Sequence, residues 1–238
     1  MPFLAQNQDI PDALVSELLT RYSTQQGYTL FSDVIPFFNM LKDRSDQRPD
    51  HLRWPWERTV VGIISNSDDR VLSVLRSFGL KIRPQRVGIP GECRVQADMD
   101  DDITFIVLSY DAGFEKPDRR IFDAARQMLE KSIAKNCRSD GPVSIRDFTR
   151  LYVGDSLEHD YFGAKEAGWD AVLVDRSKGP PLEVDQNWQE TSLPGLYRED
   201  RNVDGITKEV VTCDHLVSLA GWQPGELERM KKRVQKNS

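Results

Sequence analysis

Cysteine is scarce in this chain: three residues among 238, at positions 93, 137 and 213. An odd number of widely separated thiols excludes a full disulfide framework and makes a cysteine-based zinc site a poor reading. Long apolar runs are missing as well. No stretch approaches the ~18 or more residues that a bilayer crossing needs, so no membrane partner is expected. The opening, Met-Pro-Phe-Leu-Ala-Gln-Asn-Gln-Asp, has neither the basic flank nor the apolar core of a secretion signal, and the expected location is cytoplasmic. Nor is there an excess of positive charge: 32 Lys and Arg stand against 38 Asp and Glu, a net charge of −6. No face is therefore forced to be basic, and no nucleic-acid partner is expected. The one basic cluster, Arg229-Met230-Lys231-Lys232-Arg233, lies beside Glu226 and Glu228 and reads as a solvated helix end. There is no internal repeat, and nothing in the sequence sets an oligomeric state.

What the chain does have is 39% hydrophobic residues, enough for one sizeable α/β domain with a buried core. Leu14, Val15, Leu18, Leu19 and Tyr22 share one helical face over residues 12–23, with Pro11 as a start signal. A second helix from about Ser32 turns Val34, Ile35, Phe37, Phe38 and Leu41 inward, with Pro36 in its first turn. Strands are predicted at 59–64, 104–109, 151–153 and 171–174, continuous apolar runs of the kind covered on both faces. Helices alternate with them: one carrying Val71, Leu72, Leu75 and Phe78 and closed by Gly79, one from Pro117 carrying Ile121, Phe122, Ala125 and Leu129, and one at about 159–167. This alternation predicts an α/β fold, a doubly wound parallel sheet. Segments 43–58, 81–102 and 176–210 are expected to be surface insertions.

Chemistry-bearing residues fall at the predicted strand ends. The strand at 151–153 runs into Gly154-Asp155, and a second carboxylate, Asp160, follows on a helix. Two acids at the carboxyl end of a strand are where an open α/β sheet places metal or phosphate chemistry. Ser65 and Asn66 end an earlier strand just before a helix, which suits either an anion cradle at a helix start or a helix cap. Lys116 precedes Pro117 at the mouth of the next helix.

Ile64-Ser65-Asn66-Ser67-Asp68, Glu115-Lys116-Pro117-Asp118, Arg120-Ile121-Phe122 and Gly154-Asp155 with Asp160-Tyr161 stand in the order found in the haloacid dehalogenase (HAD) superfamily of hydrolases. Over roughly residues 28–175 the chain resembles its haloacid dehalogenase-like hydrolase domain-containing branch. The resemblance implies a Rossmannoid core over 28–238, with residues 1–27 as the remnant of a helical cap. It implies Mg2+ on Asp155, Lys116 and Ser65 with Asn66 on phosphoryl oxygens, and Asp160 orienting its neighbours, with Lys116 and Asp160 as the catalytic pair. The substrate would be a small phosphorylated or halogenated molecule.

One part of the family pattern has no counterpart. Members begin with a strand ending in Asp-x-Asp-Gly-Thr, whose first Asp is the nucleophile, and no such segment precedes Ser65. Asp98-Met99-Asp100 and Asp100-Asp101-Asp102 are the other Asp-x-Asp candidates, and they read as an acidic surface loop. The expectation is a HAD-like hydrolase scaffold, inactive or very slow as this chain, through truncation or true loss. The alternative is a pseudoenzyme that binds a phosphorylated metabolite or a partner protein. The missing strand would lie between those ending at Ser65 and Gly154. The sheet must then close up, borrow a strand such as Pro2–Gln6, or be completed by another chain, because unpaired interior backbone groups are each unfavourable by about 1–3 kcal/mol.

Overall fold

In the computed structural model, residues 10–43, 53–83, 85–88, 101–135, 145–177 and 195–225 are described. The predicted strands form as β1 (Gly62–Ser65), β2 (Phe105–Leu108), β3 (Leu151–Gly154) and β4 (Asp170–Val174). All four residues of β2 are buried, as its unbroken apolar run requires. The helices are α1 (Asp12–Tyr22), α2 (Val34–Lys42), α3 (Arg70–Ser77), a single turn α4 (Ser109–Ala112), α5 (Arg119–Lys135) and α6 (Gly163–Glu166). Gly79 closes α3 with φ +88°, a left-handed position that suits glycine.

The described strands do not form one continuous sheet. β1 and β2 pair in parallel, Ile64 opposite Val107, and make a two-stranded sheet. β3 and β4 pair in parallel, Val153 opposite Val172, within a four-stranded sheet. Both rest on one core in which Ile64 and Val107 join Tyr152, Val172, Ile121 and Phe122. The division falls between β1 and β3, the place of the absent strand. Among the described strands the sheet has not closed up. The Tyr152 hydroxyl crosses the division instead, 3.1 Å from the Ile64 carbonyl. Pro2–Gln6, the proposed borrowed strand, lies outside the described residues, as do Asp98, Asp100, the 229–233 cluster, Cys93 and Cys137.

The expectation of a surface loop over 176–210 is corrected from residue 197 onward. β5 (Tyr197–Val203) and β6 (Ile206–Cys213) form an antiparallel hairpin, and β6 runs parallel to β4, completing the order β3-β4-β6-β5. The overlooked signal was Asp204-Gly205. Both residues have positive φ, +52° and +78°, as a two-residue type I′ turn demands. The hairpin arm is exposed, so its polar sequence does not look like a core strand, and only Val210–Cys213 are buried where they join the sheet. Part of the predicted loop 81–102 is also paired, through a bridge from Ile82 to Ile103, just before β2, and one from Arg86 to Ile106 within it.

The apolar stripe of α1 forms as predicted but meets no core. Leu14, Val15, Leu18, Leu19 and Tyr22 are all exposed, Leu19 by 62%. Helical spacing sets which side chains share a face, and only packing decides whether that face is covered.

Burial in β6 pushes the Cys213 thiol up to about 12. The thiolate is the reactive form. Iodoacetamide at about pH 8 should therefore leave Cys213 unmodified in the native protein and label it in guanidinium, as peptide mass spectrometry would show.

Candidate active site

Asp160 lies at the centre of a buried hydrogen-bond cluster. Its side chain is reached through a π-helical turn, Leu157–Phe162, in which the Asp160 and Tyr161 N–H groups both donate to the Ser156 carbonyl, at 3.0 and 3.1 Å. Such turns are rare and occur most often at functional sites. Ser156 caps the turn: its Oγ accepts the His159 N–H at 3.1 Å and lies 3.1 Å from His159 Nδ1. Asp160 is only 3% exposed. Its Oδ1 accepts from Lys116 Nζ at 2.6 Å and lies 3.2 Å from the Tyr152 hydroxyl, and its Oδ2 accepts the Ser156 N–H at 2.9 Å.

Burial alone would raise the Asp160 carboxyl, but the hydrogen bonds from Lys116 and Ser156 outweigh it and hold the group below the usual carboxylate range. Burial, reinforced by the Asp160 charge, pushes the Tyr152 phenol far above its ordinary range. Its single proton can serve either Asp160 Oδ1 or the Ile64 carbonyl, while its oxygen accepts from Lys116 Nζ at 3.0 Å.

Gly154 makes the cluster possible. A Cβ there would overlap the Asp160 Cγ and Oδ2 atoms, so the strand end must be glycine for the carboxylate to sit against it. The residue was visible in the Gly-Asp motif, but its steric role was not. It depends on the turn that folds Asp160 back.

Lys116 is held by Asn66. The Asn66 Nδ2 donates to the Lys116 carbonyl at 3.0 Å, and its Oδ1 accepts the Lys116 N–H at 2.7 Å. This two-bond clamp joins the end of β1 to the loop before α5, fifty residues away. Asn66, expected to face an anion, instead positions the lysine backbone. Two local readings need correction. Ser65 is half-buried at the end of β1, but α3 starts only at Arg70, so Ser65 is not at a helix amino terminus. Pro117 likewise precedes the first turn of α5, which begins at Arg119, with Asp118 accepting the Arg120 N–H at 2.9 Å. Polar residues between strand and helix are used for local turns in both places.

Asp155 is exposed beside this cluster. Asn66, Lys116 and His159 line an open cleft of about 1120 Å³, with Asp68, Arg70, Tyr110, Glu115, Asp118 and Arg120 on its walls. The structure thus brings Asn66, Lys116 and Asp160 together, with Ser65 and Asp155 at the ends of the strands that carry them. Tyr152, Ser156 and His159 were missed. Ser156 three residues before His159 was a readable cap signal, whereas Tyr152 gave none beyond being aromatic in a strand.

A family profile described as HAD-hydrolase-like matches residues 113–194, the stretch that contains Lys116, Asp155 and Asp160. The haloacid dehalogenase-like hydrolase domain-containing protein 3 of Bos taurus is 26% identical over 140 residues, 57% of this chain and 41% of that protein. The chain belongs to the haloacid dehalogenase superfamily. An uncharacterized protein of Saccharomyces cerevisiae is 30% identical over 176 residues, 71% of this chain and 46% of its own length. The rhythmically expressed gene 2 protein of Drosophila melanogaster is 30% identical over 118 residues, half of this chain and 34% of its own length. The chain spans about half the length of these relatives, or less.

The HAD resemblance implies Mg2+, and the donor set tests it. Magnesium is usually held by one or two carboxylates together with water and substrate phosphate. Asp155 is one exposed carboxylate, while both Asp160 oxygens already accept hydrogen bonds. Among the described residues no three acidic, histidine or cysteine side chains are grouped to hold a metal. The described residues do not by themselves make a magnesium site.

Proposed function

We propose that this chain is the anion-binding half of a HAD-type hydrolase site, which takes small phosphorylated molecules and does not turn them over by itself. The supporting observation is the buried Lys116–Asp160–Tyr152 cluster, whose Lys116 lines the cleft, with the exposed Asp155 at the end of β3. A group meant to act as a nucleophile must be free to attack, and Asp160 is committed to three donors. Asp101 and Asp102 are no substitute. Asp101 pairs with Arg83 at 3.0 Å, and Asp102 with Lys42 at 2.7 Å and with the Lys81 N–H, so both have structural roles away from the cleft.

In this reading the cleft admits the phosphate, Lys116 carries positive charge to the strand ends, and Asn66 fixes where that charge enters. Asp155 is this chain's contribution to a magnesium site that a further carboxylate would have to complete. Halogenated substrates meet the same obstacle, since carbon–halogen cleavage also needs an attacking group.

The test is a panel of phosphomonoesters with magnesium present. The chain should hydrolyse none faster than an Asp155→Asn control, while phosphate should still protect it thermally by mass action. Turnover that requires magnesium and disappears in the control would overturn the reading.

A further inference from the structure

One side chain can give the cleft a net positive charge. Four side chains that can be cationic line it: Arg70, Lys116, Arg120 and His159. Three are already matched. Arg70 donates to both Asp68 oxygens, with Nη2 to Oδ2 at 2.8 Å. Arg120 makes the same bidentate pair with Asp118 and stacks 3.9 Å from the Phe114 ring centre. Lys116 is bound to Asp160 at 2.6 Å with its side chain only 13% exposed. Glu115 also lines the wall, so the three lining carboxylates, Asp68, Glu115 and Asp118, equal the three lining cations and the cleft has no net positive charge while His159 is neutral. Glu158, next to His159 on the Leu157–Phe162 turn, and Asp155, just before that turn, are further exposed carboxylates outside the lining.

His159 differs from these three cations. It is exposed, its ring is held through Nδ1 by Ser156, and among the described residues it has no carboxylate partner. We infer that His159 is the residue that sets anion affinity in this cleft, admitting a phosphate- or sulfate-type dianion when its ring is protonated. Histidine is the side chain whose charge ordinarily changes between pH 5 and 8. The Nδ1 contact to Ser156 leaves Nε2 as the atom available to the cleft. As an imidazolium the ring donates from both nitrogens, so Nε2–H becomes a charge-assisted donor to an anion oxygen. In the neutral ring, Nε2 either donates without charge or presents a lone pair that repels the anion. The inference rests on the cleft being an anion site, as proposed above, and adds which group controls it.

Sulfate is the probe, because it remains a dianion throughout this range and any pH dependence belongs to the protein. Calorimetric titration should show sulfate binding about tenfold tighter at about pH 5.5 than at about pH 8, the effect of one added charge a few ångströms away. His159→Gln should bind with the weaker affinity at both pH values. The wild-type His159 ring, followed by NMR, should titrate at a higher midpoint when sulfate is present. His215 is buried at the start of the 216–221 turn and does not line the cleft. Equal wild-type affinity at the two pH values would overturn the role of His159 and leave the anion site standing. PH-dependent binding that survives in His159→Gln would do the same. No sulfate binding at either pH would overturn both.

Discussion

Lys116→Ala is expected to lower stability by about 3–5 kcal/mol, because it leaves a buried carboxylate without its cation. Asp160 is 3% exposed, and without the lysine it keeps only the Ser156 N–H and a share of the Tyr152 proton. That loss is a large part of an ordinary 5–15 kcal/mol of net stability, so a clear fall in the chemical-denaturation midpoint should be visible. The pH dependence gives a second readout. In the wild type the Asp160 carboxyl lies below its unfolded value, so its contribution is fully present above about pH 4 and is lost as pH falls through the folded value. Removing Lys116 removes that contribution, so the gap between variant and wild type should narrow in acid. A Lys116→Ala protein as stable as wild type at neutral pH would show that the ion pair is not formed. Any activity loss caused by this variant must therefore be measured against its folded fraction.

Gly154→Ala is the second large effect. The added methyl carbon would lie 2.6 Å from the Asp160 Cβ and overlap its carboxyl group, so either β3 or the π-helical turn must move. Overpacking of this kind destabilises by about 1–3 kcal/mol. In a chain of this size that corresponds to a fall in Tm of roughly 2–12 °C. Displacing Asp160 also breaks its bond to Lys116, so Gly154→Ala and Lys116→Ala should be less than additive in a double-mutant cycle. Additive losses would mean that the methyl group is accommodated without moving Asp160.

These two experiments probe the part of the molecule that sequence order alone made most legible. Lys116, Asp155 and Asp160 could be singled out because each follows an apolar strand, and parallel strands connected by helices bring their carboxyl ends to one edge. Their chemical states could not be read in the same way. Asp155 is exposed and Asp160 buried, although only four residues separate them, because the π-helical turn that begins after Asp155 folds Asp160 back onto Gly154. Asn66 was assigned to an anion on account of its neighbours, yet its amide is used to clamp the Lys116 backbone. A side-chain amide satisfies a peptide N–H and carbonyl as readily as it binds a ligand, and distance along the chain does not reveal which partner is near.

The sequence by itself determined the alternation of strands and helices, the parallel pairing and the positions of the polar strand ends, since apolar periodicity and turn residues are local properties. It also determined that the expected nucleophile strand is absent from the family pattern. Tertiary structure decided how the described strands are arranged there: two sheets that share one core, bridged by the Tyr152 hydroxyl. It decided that residues 197–213 join the sheet despite their polar arm, and that the stripe on α1 remains uncovered. Above all it decided that three of the four cleft side chains able to carry positive charge are already paired with carboxylates. Pairing and coverage depend on which surfaces meet across long sequence separations, and the pattern within any one segment does not contain that information.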